Sequence, residues 1–106
     1  MNLEITIRLD GDHDAFRNFA RERIEQVTSL IDKVRSAHLV LDGQRGRFHC
    51  ELVVYVDGVE QPLVAKGEGA ELRVALDQAL QKLDQQLRKL KDRRVKGRRA
   101  PGENTP

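Results

Sequence analysis

The sequence contains no tryptophan, one tyrosine, three phenylalanines and a single cysteine in 106 residues. With so few rings, aliphatic side chains must fill the interior, and this length allows one small domain with one core. A lone Cys50 excludes an internal disulfide. No secretory signal precedes the first structured segment, so a soluble, cytoplasmic protein is expected. Long apolar runs are also missing. Nothing approaches the roughly 20 residues of a membrane span, and no membrane partner is expected.

The equipment of catalysis is equally scarce. There is no glycine-rich phosphate loop, no paired-cysteine motif and no nucleophile elbow. His13, His38 and His49 are scattered over a helix start and two strands, without the spacing of zinc ligands. His38 and His49 could become neighbours across a hairpin, but nothing else supports a site there. Cys50 stands in line with Phe48 and Leu52, which reads as a small core residue. The expectation is a protein that is not an enzyme, with no catalytic residue, metal, cofactor or small-molecule substrate.

What the chain does have is charge, 34% of its residues, of both signs. The net value of +2 conceals a polarity along the sequence. Met1 to Leu87 carries eleven Lys and Arg against fifteen Asp and Glu, net −4. Arg88 to Pro106 carries eight basic residues against two acidic, net +6. A mildly acidic body with a basic end fits an anionic partner for that end, and it also fits a solvated tail.

The hydrophobic spacing gives the elements. Leu3, Ile5, Ile7 and Leu9 alternate with polar residues, the period of a half-buried strand. Asp12 or Asp14 can cap the helix that follows, whose stripe runs Phe16, Phe19, Ala20, Ile24, Val27, Leu30 and Ile31. A second strand spans Val34 to Leu41, with Asp42-Gly43 as the turn signal. A third runs Arg47 to Val56, with Phe48, Cys50, Leu52, Val54 and Val56 on one side. After Asp57-Gly58, a shorter strand runs Pro62 to Glu68, the proline suiting an edge position. A long helix then begins near Ala70 and continues at least to Arg94, burying Leu72, Leu76, Ala79, Leu80, Leu83, Leu87 and Leu90, with Gly97 as its expected end. The order β-α-β-β-β-α predicts an α+β fold: a four-stranded, mainly antiparallel sheet with two helices on one face. Residues 1–96 form the domain and residues 97–106 a basic, flexible C-terminal tail.

On the last helix, Lys82, Lys89 and Lys96 are seven residues apart and so lie along one side, with Arg93 joining them and Arg88 and Lys91 flanking the row. These positions avoid the leucine stripe. Such a row can follow a phosphate backbone, and the five basic residues in Arg93 to Arg99 favour RNA over an ordinary solvated face. Tyr55 points to the sheet side opposite Phe48. One ring is too few for a base-stacking sheet, so phosphate and shape recognition by the helices is the expected mode.

Two segments carry a resemblance. The first is Asp14-Ala15-Phe16-Arg17-Asn18-Phe19, continuing through Arg23-Ile24 to Ile31-Asp32-Lys33-Val34. The second is Gly69 to Arg93, with Val74-Ala75-Leu76-Asp77 and then Lys82-Leu83-Asp84-Gln85-Gln86-Leu87-Arg88-Lys89. These resemble the ribosome-hibernation promoting and ribosome-associated inhibitor family, also described as sigma-factor modulation proteins. That family has Ala-Ala-Ile-Asp and Lys-Leu-Glu-Arg-Gln-Leu-x-Lys at the corresponding places. The resemblance covers nearly all of Leu3 to Lys96 and is to the short form of the family. It implies a fold similar to the double-stranded RNA-binding domain. It also implies a bacterial stationary-phase or stress factor that occupies the small ribosomal subunit and its rRNA, blocking the messenger and transfer RNA sites without making or breaking a bond.

Carried over by position, the RNA-binding residues are Arg23 on the first helix and Lys82, Lys89 and Arg93 on the second. Arg88, Lys91 and Lys96 are further basic positions in the same stretch, and Arg21 is an additional first-helix candidate. The chain departs from the family at Arg73, where tyrosine is usual, at Gln85, where arginine is usual, and at Gln26, where lysine is common. Arg73 is open to two readings, an added phosphate contact or a changed partner. The missing basic positions and acidic body leave two alternatives beside the ribosome: a protein-interaction module that has lost ribosome binding, and a binder of another structured RNA.

Overall fold

The computed structural model describes residues 1–98, with side chains described through residue 92. The elements are β1 (Asn2–Arg8), α1 (Asp14–Thr28), β2 (Val34–Gln44), β3 (Arg47–Val56), β4 (Leu63–Gly69) and α2 (Leu72–Arg98). They build one four-stranded sheet in the order β1-β2-β3-β4. A helix joins β1 to β2, and a crossover of that kind makes the pair parallel. The β2–β3 and β3–β4 pairs are antiparallel, so the sheet is mixed with antiparallel pairing in the majority.

Alternation decides which face is covered. Ala37, Leu39 and Leu41 of β2, Cys50, Leu52, Val54 and Val56 of β3, and Ala65 of β4 are buried on the helix side. Ile24 of α1 and Leu76, Leu83 and Leu87 of α2 close over them. Each large side chain buried this way contributes roughly 1.5–3 kcal/mol. Helix α2 lies over β4 and β3, α1 reaches β1, and the two helices touch each other. The opposite sheet face is open, with Tyr55 41% and Val64 43% exposed.

Close approach of α2 to β4 depends on Gly67. A β-carbon there would lie 2.0 Å from the Ala75 carbonyl oxygen and 2.8 Å from the Ala79 nitrogen. Helix backbone therefore rests on strand backbone, with small residues on both sides of the contact.

Several boundaries differ from expectation for local reasons. Asp42-Gly43 does not turn the chain: β2 continues to Gln44, where it pairs with Arg47. The turn is Arg45-Gly46, both at positive φ (54° and 77°), the two-residue geometry that matches strand twist. Gly43 instead stands opposite Phe48 inside the ladder.

Helix α1 ends at Thr28, short of the expected Ile31. The Thr28 hydroxyl donates back to the Ile24 carbonyl at 2.8 Å and that of Ser29 to Gln26 at 2.6 Å, while Leu30 and Ile31 close tighter i→i+3 turns. Ile31 is buried all the same. Neither aspartate occupies the cap position of α1. His13 does, without a side-chain cap, while the Asp12 carboxylate accepts from the Asp14 N–H at 3.0 Å.

At the other boundaries, β4 begins at Leu63 and ends at Gly69, and α2 begins at Leu72 and passes through Gly97 to Arg98. Of the expected tail, residues 99–106 lie outside the described residues. No helix among the described residues is long and apolar enough to cross a membrane.

Candidate nucleic-acid interface

The expected basic residues separate onto different flanks of the two helices. Seven residues are nearly two whole turns, so Lys82 and Lys89 align on one flank of α2, the flank beside β4. That edge strand is closed by glutamines from the same flank. The Glu68 N–H donates to Gln78 Oε1 at 3.1 Å, and Gln86 Nε2 donates to the Val64 carbonyl at 3.0 Å. Lys82, four residues from each, stands between them at the outer margin of the sheet. The acids near it are already engaged: Glu68 lies 3.5 Å from Arg47 and 3.4 Å from His49, and Glu51 lies 3.7 Å from Lys66. Lys82 and Lys89 are exposed, and neither forms an ion pair with any described residue.

Arg88 is one residue from Lys89 and so about 100° further around the helix. It faces away from the lysine row, and its Nε donates to Asp84 at 2.9 Å, an i,i+4 pair on an exposed surface. Lys91 is exposed and has no ion-pair partner among the described residues. The side chains of Arg93 and Lys96 fall outside the described residues, although both positions lie within α2.

On α1, Arg23 faces α2 and lies 3.6 Å from Asp77. Together with Val27, Val74 and Asp84 these residues line an open groove between the helices. Arg21 is two residues from Arg23, roughly 200° around α1, and so points elsewhere. The surface pairs Arg23–Asp77 and Arg88–Asp84 each contribute only about 0–1 kcal/mol, and a phosphate can replace the carboxylate at small cost.

Four side chains take roles that spacing alone did not reveal. Arg17 donates to the Ile5 carbonyl on the outer edge of β1, as Gln86 donates to the Val64 carbonyl on β4, where Gln78 accepts from the Glu68 N–H. Arg73 rests on Phe19, its Cζ 4.6 Å from the ring centroid, with Arg23 5.6 Å from the same centroid. The one available signal for Gln78 and Gln86 was their symmetric placement about Lys82.

The histidines stay apart. His38 faces Val53 across the hairpin and His49 faces Asp42, and His38 Nε2 lies 3.1 Å from the Thr6 hydroxyl. Cys50 is buried among aliphatic side chains, and burial raises its thiol from the ordinary 9.0 to about 12, which keeps it protonated.

Fold and surface together define a small α+β domain with a mixed sheet, two helices on one face and charged side chains concentrated on those helices. The model of the sigma 54 modulation protein / S30EA ribosomal protein family matches residues 3–95. The chain belongs to this family. Among its relatives, a ribosome hibernation promoting factor of Azotobacter vinelandii is 28% identical over 82 residues, covering 77% of this chain and 75% of that protein. The ribosome hibernation promoting factor of Escherichia coli K12 is 27% identical over 92 residues, 87% of each chain. Two solved structures share the fold. A ribosomal subunit interface protein from Coxiella burnetii superposes with a TM-score of 0.77 at 19% identity, over 87% of this chain and 99% of that one. The Protein Y N-terminal domain of Thermus thermophilus gives 0.75 at 23%, over 85% and 99%.

Proposed function

We propose that this protein is a ribosome hibernation factor that binds the small ribosomal subunit and blocks its messenger and transfer RNA sites. Membership of the family and the names of the hibernation-promoting relatives support association with the ribosome. The observation that carries the finer reading is the flank of α2 on which Lys82 and Lys89 stand exposed, without a carboxylate partner among the described residues. Cations so placed exchange only water and counterions for phosphate, and the release of counterions drives binding.

In this reading Lys82 and Lys89 begin a phosphate-tracking row that Arg93 and Lys96 extend, and Arg98 and Arg99 add further positive charge beyond it. Arg23, Arg88, Lys91 and Arg21 contribute from the other helical flanks, the first two by giving up Asp77 and Asp84. The protein acts by occupying space, as a binder and not a catalyst, and works in the cytoplasm where ribosomes are.

Cosedimentation with isolated small subunits, large subunits and intact ribosomes across a salt series tests this. The expected result is salt-sensitive pelleting with small subunits and intact ribosomes, together with inhibition of a purified translation system. Replacement of Lys82 or Lys89 by alanine should flatten the log–log salt slope by roughly one unit each. Pelleting with large subunits alone, or normal protein synthesis at saturating protein, would overturn it. A protein-interaction role draws on the open sheet face, where Tyr55 and Val64 are exposed. Recovery of one protein partner, with ribosomes free of the chain, would replace the ribosome reading.

A further inference from the structure

Arg73 is not among the RNA-contact positions carried over from the family, and the sequence leaves it open between a phosphate contact and a changed partner; in the structure its guanidinium lies against a ring. It lies 4.6 Å from the centroid of the Phe19 ring, and the Arg23 guanidinium lies 5.6 Å from that centroid. Phe19 is a fixed support: it packs on the core, and its ring centroid is 6.0 Å from that of Phe16. Two cations thus share one ring at the place where the helices meet.

Their electrostatics are unbalanced. Arg23 has Asp77 at 3.6 Å, but Arg73 has no carboxylate within ion-pair distance among the described residues. The first turn of α2 contains no acid, so Arg73 adds a full charge to the partly positive end of the helix. Glu71, just before the helix, and Asp77 are the nearest acids in sequence, and neither is paired with Arg73. Repulsion between the two guanidiniums, and between Arg73 and the helix end, is relieved by an anion bound beside them. A guanidinium held over a ring spends no N–H donor on a carboxylate, and its planar fork suits two-pronged contact with phosphate.

We infer that Arg23 and Arg73, set against Phe19, form a two-guanidinium anchor for backbone phosphate of RNA at the junction of α1 and α2. The inference rests on the ribosome reading above and adds to it a contact that this chain makes with arginine on a phenylalanine support. The anchor is separate from the lysine flank beside β4, so the two grip the RNA from different sides of α2.

The test is affinity of the full chain for isolated small subunits across a salt series, with thermal unfolding of each variant as a control. Arg73→Ala should bind about five- to tenfold more weakly and flatten the salt slope by about one unit. Arg73→Lys should keep the slope, since it keeps the charge, and lose about two- to threefold through the lost fork and stacking. Phe19→Leu retains apolar volume and both charges. It should leave the slope unchanged and weaken binding, and it should remove the non-additivity between Arg23→Ala and Arg73→Ala. Wild-type binding with an unaltered slope in both Arg73→Ala and Arg73→Gln would overturn the anchor while leaving the ribosome reading intact. Failure of the wild type to bind small subunits at low salt would overturn both.

Discussion

Replacing Gly67 by alanine tests the packing on which the interface depends. The added carbon meets the Ala75 carbonyl oxygen at 2.0 Å and the Ala79 nitrogen at 2.8 Å, and both are backbone atoms that no rotamer change can move. Helix α2 must withdraw from β4 by about 1 Å or more to restore ordinary contact distances. Overpacking of this kind costs typically 1–3 kcal/mol, and the backbone opposition places Gly67→Ala near the upper end, about 3 kcal/mol. For a domain of this size that is a fall in melting temperature of about 15 °C.

Gly46→Ala provides the contrast. It has open space around it but a φ of 77°, so its cost is conformational and about 1 kcal/mol. Urea unfolding of both variants, with thermal melts alongside, measures the difference. Equal destabilisation of the two, or a Gly67→Ala protein within about 1 kcal/mol of wild type, would refute the close-approach argument. Because Lys82 and Lys89 ride on α2, Gly67→Ala should also weaken ribosome binding without touching a charge.

Three further outcomes follow from the geometry. Arg88 is engaged by Asp84 while Lys89 is not, so Arg88→Ala should change the salt slope of ribosome binding less than Lys89→Ala; a reversed order in the same pelleting assay would remove the distinction between the two flanks. Cys50, with its thiol raised to about 12, should resist alkylation in the native protein at pH 8 and react on unfolding, and modification at the rate of a free thiol would contradict its burial. The sign of the linked stability follows: the folded state holds the proton more tightly, so this contribution is complete below about pH 9 and declines as pH rises towards 12. Gln78→Ala with Gln86→Ala removes two hydrogen bonds from the β4 edge, each contributing about 0.5–1.5 kcal/mol. The double variant should be less stable and should self-associate in sedimentation velocity runs, since an uncovered edge recruits strands; a stable monomer would show that the glutamines do not protect the edge.

The residues that could be read from the sequence are those whose placement depends on neighbours close along the chain. Alternation from Leu3 to Leu9 and from Phe48 to Val56 gave the strands and their buried sides, and the leucine stripe gave α2, because side-chain direction within an element follows from its period. Lys82 and Lys89 share a flank for the same reason. Local competition was harder to see. The turn moved to Arg45-Gly46 because cross-strand pairing carried Asp42 and Gly43 into the ladder, and α1 stopped at Thr28 because hydroxyls bonded back to the helix carbonyls.

Tertiary structure alone decided which charges meet. Arg23 and Asp77 are 54 residues apart in the sequence, as are Phe19 and Arg73, and only the packing of α1 against α2 brings each pair into contact. It divided one list of basic residues into a flank whose lysines have no described carboxylate partner and a flank where two arginines are already paired. Charge count and helical period were fixed by the chain; availability to a phosphate depends on distances between elements, which no period encodes.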